Sequence, residues 1–431
     1  MRSRARWNAA PAPSDEANHA AEPTWCHTWA GSAAGRRQSN QPGSLHLPTR
    51  PEHAAAGKLA VGAARSASVY TRVVLQTAMT FAVTENIART ARHTSFYLAC
   101  GAADAPPLIF VHGWPELSIS WRHQLGCFAH LGFRAIAPDM RGYGRSSVYP
   151  RYEDYALEHA VADMLELLDS LDREKAIWIG HDWGSPVVWS IASHVPQRCF
   201  GVANLCVPYL ARGFAPTNLL PLINRELYPE SEYPVGQWDY QFFYEEHFDK
   251  ARVEFEANVT NTVKALFRKG NPAGRQKPSR TASVRKQGGW FGAAGQAPDR
   301  PLDTDVMTET ELHAYAAALQ RTGFFGPNAW YMNHARNVAY AAESVNGGRI
   351  DLPVLFLHAL YDYTCETVDS RLAEPMRSDC TDLTEVVVPS GHWMAQERPV
   401  EVNAALARWL ATRFAELWPV RALGATHATL A

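Results

Sequence analysis

Asp182 stands between two glycines in Gly180-His181-Asp182-Trp183-Gly184, at the end of an apolar run over 176–180 and just before a helical pattern over 185–195. A strand that turns sharply into a helix strains its middle residue and lifts that side chain clear of the sheet edge, and only small residues fit on either side. The alternative, a helix N-cap, leaves both glycines and the downstream partners unexplained. Those partners come in order. Asp362 comes after the run 353–360, with Glu366, Asp369 and Asp351 as nearby alternatives, and His392 comes after the run 385–388, in Ser390-Gly391-His392. Nucleophile, acid, histidine is a recurring chain order for nucleophilic catalysis. Each of the three sits just past a strand, where open parallel sheets place their sites. Most of the 17 histidines need only a structural reading; His392 is singled out by its turn. His112-Gly113-Trp114-Pro115 comes after the run 108–111. Such a turn aims the Trp114 backbone N–H at the nucleophile, beside that of Trp183, as an oxyanion hole. The alternative is an ordinary strand-ending turn.

The residue at the tip of the turn selects the chemistry. A serine attacking a carbonyl leaves an ester that water can cleave, but at a saturated carbon it would leave an inert ether. An aspartate attacking a saturated carbon leaves an alkyl ester on its own carboxyl group, which water then cleaves at the carbonyl. Asp182 therefore points away from esters and amides, toward epoxides or alkyl halides. The two differ in the leaving group. An alkoxide needs a proton donor such as a tyrosine hydroxyl, whose reference pKa is about 10. A halide needs only weak donors, for which the Trp183 and Trp114 indoles are candidates.

These residues require a sheet to position them. Apolar, β-branched runs at 80–84, 94–99, 108–112, 133–138, 176–180, 201–207, 354–360 and 385–388 alternate with helical patterns near 117–131, 156–171, 185–195 and 400–415. Two opening strands and then strand–helix alternation predict an α/β fold, a mostly parallel sheet flanked by helices. From 208 to 345 the alternation gives way to helical, aromatic-rich segments at 238–249, 252–267, 308–320 and 329–342, read as an inserted cap over the active edge. Within it, 269–305 is rich in Gly, Pro and Arg and reads as a long solvated loop, in preference to a nucleic-acid patch. Arg141-Gly-Tyr-Gly-Arg-Ser reads as a tight structural turn that implies no nucleotide.

Composition limits the rest. A chain of 431 residues with 46% hydrophobic and 19% charged residues has material for a large core. A net charge of −2 excludes nucleic-acid binding driven by overall charge. No apolar stretch approaches 18 residues, so no transmembrane segment is expected. Seven cysteines without C-x-x-C or zinc spacing predict free thiols in a reducing, cytoplasmic setting and no metal. Residues 1–78, rich in Ala, Pro, Ser, Gly and Arg, read as a disordered extension. Arg2, Arg4 and Arg6 precede no apolar core of a secretory signal, and Asp15, Glu16, Glu22 and Glu52 weaken a transit-peptide reading. The expected layout has the hydrolytic core over 79–207 and 346–418, a working start at Met79, the cap over 208–345 and a tail over 419–431. No motif encodes oligomeric state, so a homo-oligomer remains open.

HGWPE, DMRGYGRSS, GHDWG and the late SGHW resemble the α/β-hydrolase fold, and in particular its soluble epoxide hydrolase branch. The likeness runs over about 79–418. Asp239-Tyr240-Gln241-Phe242 resembles the first lid-tyrosine segment of that branch, and Phe325-Gly326-Pro327 with Trp330-Tyr331 the second. The resemblance implies Tyr240 and Tyr331 as donors to an epoxide oxygen, Asp182 as nucleophile, and His392 with Asp362 as the base that activates water. It also implies a small-molecule epoxide as substrate, no cofactor and no metal. Haloalkane or haloacid dehalogenation, and a non-catalytic hydrolase-fold receptor, are the competing expectations.

Overall fold

A computed structural model describes residues 81–418. The expected extension over 1–78, the start at Met79 and the tail over 419–431 lie outside the described residues. Eight strands form one sheet: β1 (Thr84–Arg89), β2 (Thr94–Cys100), β3 (Pro107–Val111), β4 (Arg134–Pro138), β5 (Ala176–His181), β6 (Cys199–Leu205), β7 (Ile350–Ala359) and β8 (Cys380–Val388). Their order is β1-β2-β4-β3-β5-β6-β7-β8. β1 and β2 run antiparallel, β2 meets β4 antiparallel, and every pairing from β4 to β8 is parallel. β3 and β5 are buried at every position. Central parallel strands are covered on both faces, which is why they read as unbroken apolar runs.

Helices α1 (Arg122–His130), α2 (Leu157–Ser170) and α3 (Gly184–His194) connect the strands. On one face α1 and the last helix, Pro399–Arg413, bury Leu125, Phe128, Leu406 and Trp409 against the sheet. On the other, α2 and α3 bury Met164, Leu168, Val188 and Ile191. Arg141, in the turn after β4, forms a buried two-pronged pair with Asp163 of α2, at 2.6 and 2.8 Å. Gly142 and Gly144 have φ of +86° and +54° there, the left-handed region that glycine enters freely, which lets the turn close tightly.

Between β6 and β7 the chain forms a helical insertion with α4 (Asp239–Glu256), α5 (Val259–Leu266), α6 (Glu309–Thr322), the short Phe325–Ala329, and α7 (His334–Ala341). Thr308 caps α6 in a reciprocal box with Glu311.

Several boundaries differ from the sequence reading. The first strand is not 80–84: β1 begins at Thr84, and its polar TENIAR sequence suits an edge strand with one wet face. Of the described residues before it, Phe81 lies edge-on to His130 at 5.8 Å, while Ala82 and Val83 are exposed. β8 starts at Cys380, ahead of 385, because an edge strand need not be apolar throughout. The break expected between 238–249 and 252–267 lies slightly earlier, as a non-helical kink at His247 inside α4, and 252–267 is itself divided after Glu256, where α4 ends, with α5 starting at Val259. The segment 329–342 is split by a 3-10 turn at Trp330–Met332. The 269–305 segment carries three short 3-10 turns and is not simply solvated. Its Arg275 pairs with Asp369 and its Arg285 with Asp239 and Glu246, while Trp290 stacks on Trp114 at 5.8 Å.

Candidate active site

Asp182 has φ of +50°, a left-handed conformation that a non-glycine residue holds only when its surroundings enforce it. They do. A Cβ on Gly184 would lie 2.0 Å from the Val111 carbonyl oxygen, and one on Gly180 would lie 2.6 Å from that of Gly184. The turn closes only because both flanks lack side chains. The helix after it uses Trp183 as its N-cap position, without a side-chain cap bond, so the Asp182 carboxylate is free for other work.

Its two oxygens have different partners. The Trp114 N–H donates to Oδ1 at 2.6 Å, and His392 Nε2 lies 3.3 Å from Oδ2. A Cβ on Gly113 would lie 2.4 Å from Oδ1 and 2.5 Å from the Trp183 nitrogen. Gly113 thus lets one backbone segment approach both. The bond from Trp114 is formed; for Trp183 the structure gives proximity of its nitrogen.

The opposite ring nitrogen of His392, Nδ1, meets Asp362 Oδ2 at 2.6 Å. Asp362 is buried, and its Oδ1 accepts the N–H groups of Thr364 and Cys365 at 3.0 Å each. The alternatives are engaged elsewhere: Glu366 accepts the Val368 and Asp369 N–H groups, Asp369 pairs with Arg275, and Asp351 with Arg349. Burial disfavours a charged His392, but Asp362 and Asp182 outweigh it and hold its pKa well above the ordinary histidine range. Burial likewise opposes a charged Asp362, and His392 outweighs it, so its pKa lies below the ordinary value.

Tyr240, on the first turn of α4, and Tyr331 line the same cavity as Asp182, Asp362 and His392, a space of about 640 Å³. Their ring centres are 5.6 Å apart. Burial pushes both hydroxyls well above the ordinary phenol pKa, so both stay protonated at neutral pH. Tyr331 is wedged edge-on against Trp183 at 5.2 Å and stacked on Tyr244 at 4.3 Å. The Trp114 indole N–H donates to Asn328 Oδ1 at 3.2 Å. A second cavity of about 510 Å³ adjoins at Lys277 and Tyr363; Glu366 and Asp369 line it, and Asp182, Asp362, His392, Tyr240 and Tyr331 do not.

Two residues that sequence reasoning passed over support this arrangement. Glu116 and His181 form an ion pair at 2.7 Å with side chains 2% and 1% exposed. Glu116 also accepts the Gly113 N–H at 3.0 Å, and His181 Nε2 reaches the His392 carbonyl at 2.7 Å. Against the cost of burial, each fixes the other's charge: Glu116 falls to about 2 and His181 rises to about 10. The pair joins the Trp114 turn, the Asp182 turn and the His392 loop. Both residues sit inside the quoted motifs, HGWPE and GHDWG, but their spacing gives no sign that they meet. Among the described residues, His181, Cys206 and His392 are the trio with metal-ligand potential, donors within 4.8 Å. Both His181 nitrogens are already committed to Glu116 and the His392 carbonyl.

With this geometry established, comparison places the chain among known proteins. Residues 106–399 match the alpha/beta hydrolase fold family model. Epoxide hydrolase A of Mycobacterium tuberculosis is 32% identical over 314 residues, 72% of this chain and 92% of its own length. The bifunctional epoxide hydrolase 2 of Sus scrofa is 33% identical over 308 residues, 71% of this chain and 52% of its own. The chain therefore spans about half the length of the bifunctional relatives it matches. The crystal structure of epoxide hydrolase A from Mycobacterium thermoresistibile superposes with a TM-score of 0.62 at 32% identity, covering 76% of this chain and 98% of the other. The chain belongs to the epoxide hydrolase family of the α/β-hydrolase fold. No helix among the described residues is long and apolar enough to cross a membrane.

Proposed function

We propose that this chain hydrolyses an epoxide to a vicinal diol through a covalent ester on Asp182, beneath a cap formed by the insertion. Tyr240 and Tyr331 donate hydrogen bonds to the epoxide oxygen. Asp182 Oδ2 attacks a ring carbon, the carbon–oxygen bond breaks, and its electron pair goes to the oxygen, which takes a proton from a tyrosine. Oδ1, held by the Trp114 N–H, becomes the ester carbonyl oxygen. His392 then removes a proton from water, the resulting hydroxide adds to the ester carbonyl, and Trp114 with Trp183 stabilises the oxyanion. On collapse the departing alkoxide takes the proton held by His392 and leaves as the diol, and the proton on the new carboxyl group passes back to the tyrosinate, restoring Asp182, one of whose oxygens now derives from water. Esterification removes the Asp182 charge, one of the two carboxylate influences that raise the His392 pKa, so the histidine gives up its proton more readily and its neutral form is available when a base is needed. Neither a cofactor nor a metal enters these steps, and the six described free cysteines suit a cytoplasmic setting.

The observation that carries the reading is that one cavity is lined by a carboxylate from the sheet and two buried phenols from the insertion. Phenols match an alkoxide leaving group. Dehalogenation would call on indole donors, and the Trp114 indole is already bonded to Asn328. The intact Asp362–His392–Asp182 geometry argues against a silent receptor. The test is diol formation from styrene oxide and an alkyl epoxide, run beside halide release from a bromoalkane. Diol without halide is expected; halide without diol would overturn the reading.

A further inference from the structure

We infer that Glu397 is a positioning residue that ties the cap to the histidine loop, so that seating of the cap sets the rate of ester hydrolysis. This rests on the mechanism proposed above. Glu397 ends the short helix Met394–Glu397 just after His392. Its side chain is 2% exposed. Oε2 accepts the Gly391 N–H at 2.8 Å and the Gly270 N–H at 2.9 Å. Gly391 precedes His392; Gly270 belongs to the insertion, just after α5. The two backbones touch: a Cβ on Gly270 would lie 2.3 Å from the Gly391 nitrogen, and one on Gly391 would lie 2.5 Å from that of Gly270. The same two segments also meet beside the carboxylate. Trp393 Nε1 donates to the Leu266 carbonyl at 2.8 Å, and Phe267 stacks on Trp393 at 4.3 Å. The neighbouring Arg398 guanidinium is 3.9 Å away and 46% exposed, so it is a weak partner. A buried carboxylate has to be compensated. Here the compensation comes from the backbone of two separate segments, and the group therefore acts as a joint between them.

The two chemical steps depend on this joint differently. Ester formation uses Asp182 and the two phenols, none of which contacts Glu397. Ester hydrolysis needs the His392 ring placed to receive a proton from a water within reach of the ester, and a displacement of about 1 Å at such a point costs on the order of a hundred-fold. Asp362 fixes one ring nitrogen and His181 holds the His392 carbonyl, but the turn that leads into the ring is tied to the cap by Glu397.

The test is rapid-quench kinetics with styrene oxide on the full chain, following the ester by intact mass and the diol by chromatography. Glu397→Ala is expected to slow hydrolysis by about ten- to a hundred-fold while ester formation changes less than about two-fold, so the ester accumulates. Glu397→Gln, whose amide oxygen can accept the same two N–H groups, should restore most of the rate. Gly270→Ala removes no functional group and sits on the cap side, yet should reproduce the Glu397→Ala pattern. The inference is overturned if both steps fall together, or if Gly270→Ala leaves the ester fraction at the wild-type level. Should Glu397→Ala fail to fold, Gly270→Ala alone decides. His392→Gln serves as the control: ester accumulation there leaves the mechanism standing whatever Glu397 does, and its absence would remove the mechanism itself.

Discussion

The two walls of the cavity are held by different forces. On the sheet side, Asp182 is fixed by a positive φ, by two glycines whose replacement would drive a Cβ into backbone, and by a 2.6 Å bond from Trp114. On the side of the helical insertion, the proposed cap, Tyr240 and Tyr331 are placed by ring packing against Tyr244, Trp183 and Trp290. The first wall is specified locally, by what can fit in a short turn. The second is specified collectively, by many apolar contacts of which none is decisive. A locally specified wall suits a nucleophile, whose attack tolerates little misplacement. A packed wall supplies dry surroundings that keep two phenols protonated.

The largest expected effect lies on the sheet wall. Asp182→Ala should reduce diol formation by about ten-thousand-fold or more, since the proposed ester forms on this carboxylate. Normal turnover in that variant would break the assignment. Next comes the cap wall: Tyr240→Phe with Tyr331→Phe should cost about a hundred- to ten-thousand-fold in diol formation, the range for losing general-acid help. Any halide release should hardly change. If the double variant keeps its epoxide activity, the cap tyrosines are packing residues only.

A third test concerns the joint between turns on the sheet side. Glu116→Gln strands a buried, positively charged His181 and should destabilise the fold by about 3–5 kcal/mol in urea unfolding, the usual cost of breaking a buried pair. The pH dependence comes from both partners. His181 is raised from 6.5 to about 10, so its share is full below pH 6.5 and fades toward pH 10. Glu116 is lowered from 4.5 to about 2, so its share is full above pH 4.5 and is lost toward pH 2. The gap between wild type and Glu116→Gln should therefore be widest between pH 4.5 and 6.5. A gap independent of pH would contradict the ion pair. The smallest effect is kinetic. Ester hydrolysis should slow several-fold as the pH falls and His392 holds its proton, with ester formation less affected; single-turnover profiles of the two steps measure this.

The same contrast explains how much was legible in the sequence. The strand–turn–helix at Asp182, the order Asp182–Asp362–His392 and the parallel sheet obey short-range rules: where glycine is required, where apolar runs recur, which residues come after a strand. Tyr240 and Tyr331 are reached only through resemblance, because a tyrosine in a helical, aromatic segment carries no mark that separates donor from packing. The missed division between α4 and α5 has a similar cause: the Asn258 cap that starts α5 sits within a stretch whose helical period reads as unbroken. Glu116–His181 and Glu397–Gly270 are invisible for a different reason. Their partners are 65 and 127 residues apart, and only the folded chain shows which buried carboxylate answers which donor.

A single turnover in heavy-oxygen water, with enzyme in excess over styrene oxide, tests the central claim most directly. The account predicts that the heavy oxygen appears in the peptide containing Asp182 and that the first diol released carries none. Heavy oxygen in that diol, with Asp182 unlabelled, would mean that water attacks the epoxide itself, and no ester on Asp182 forms.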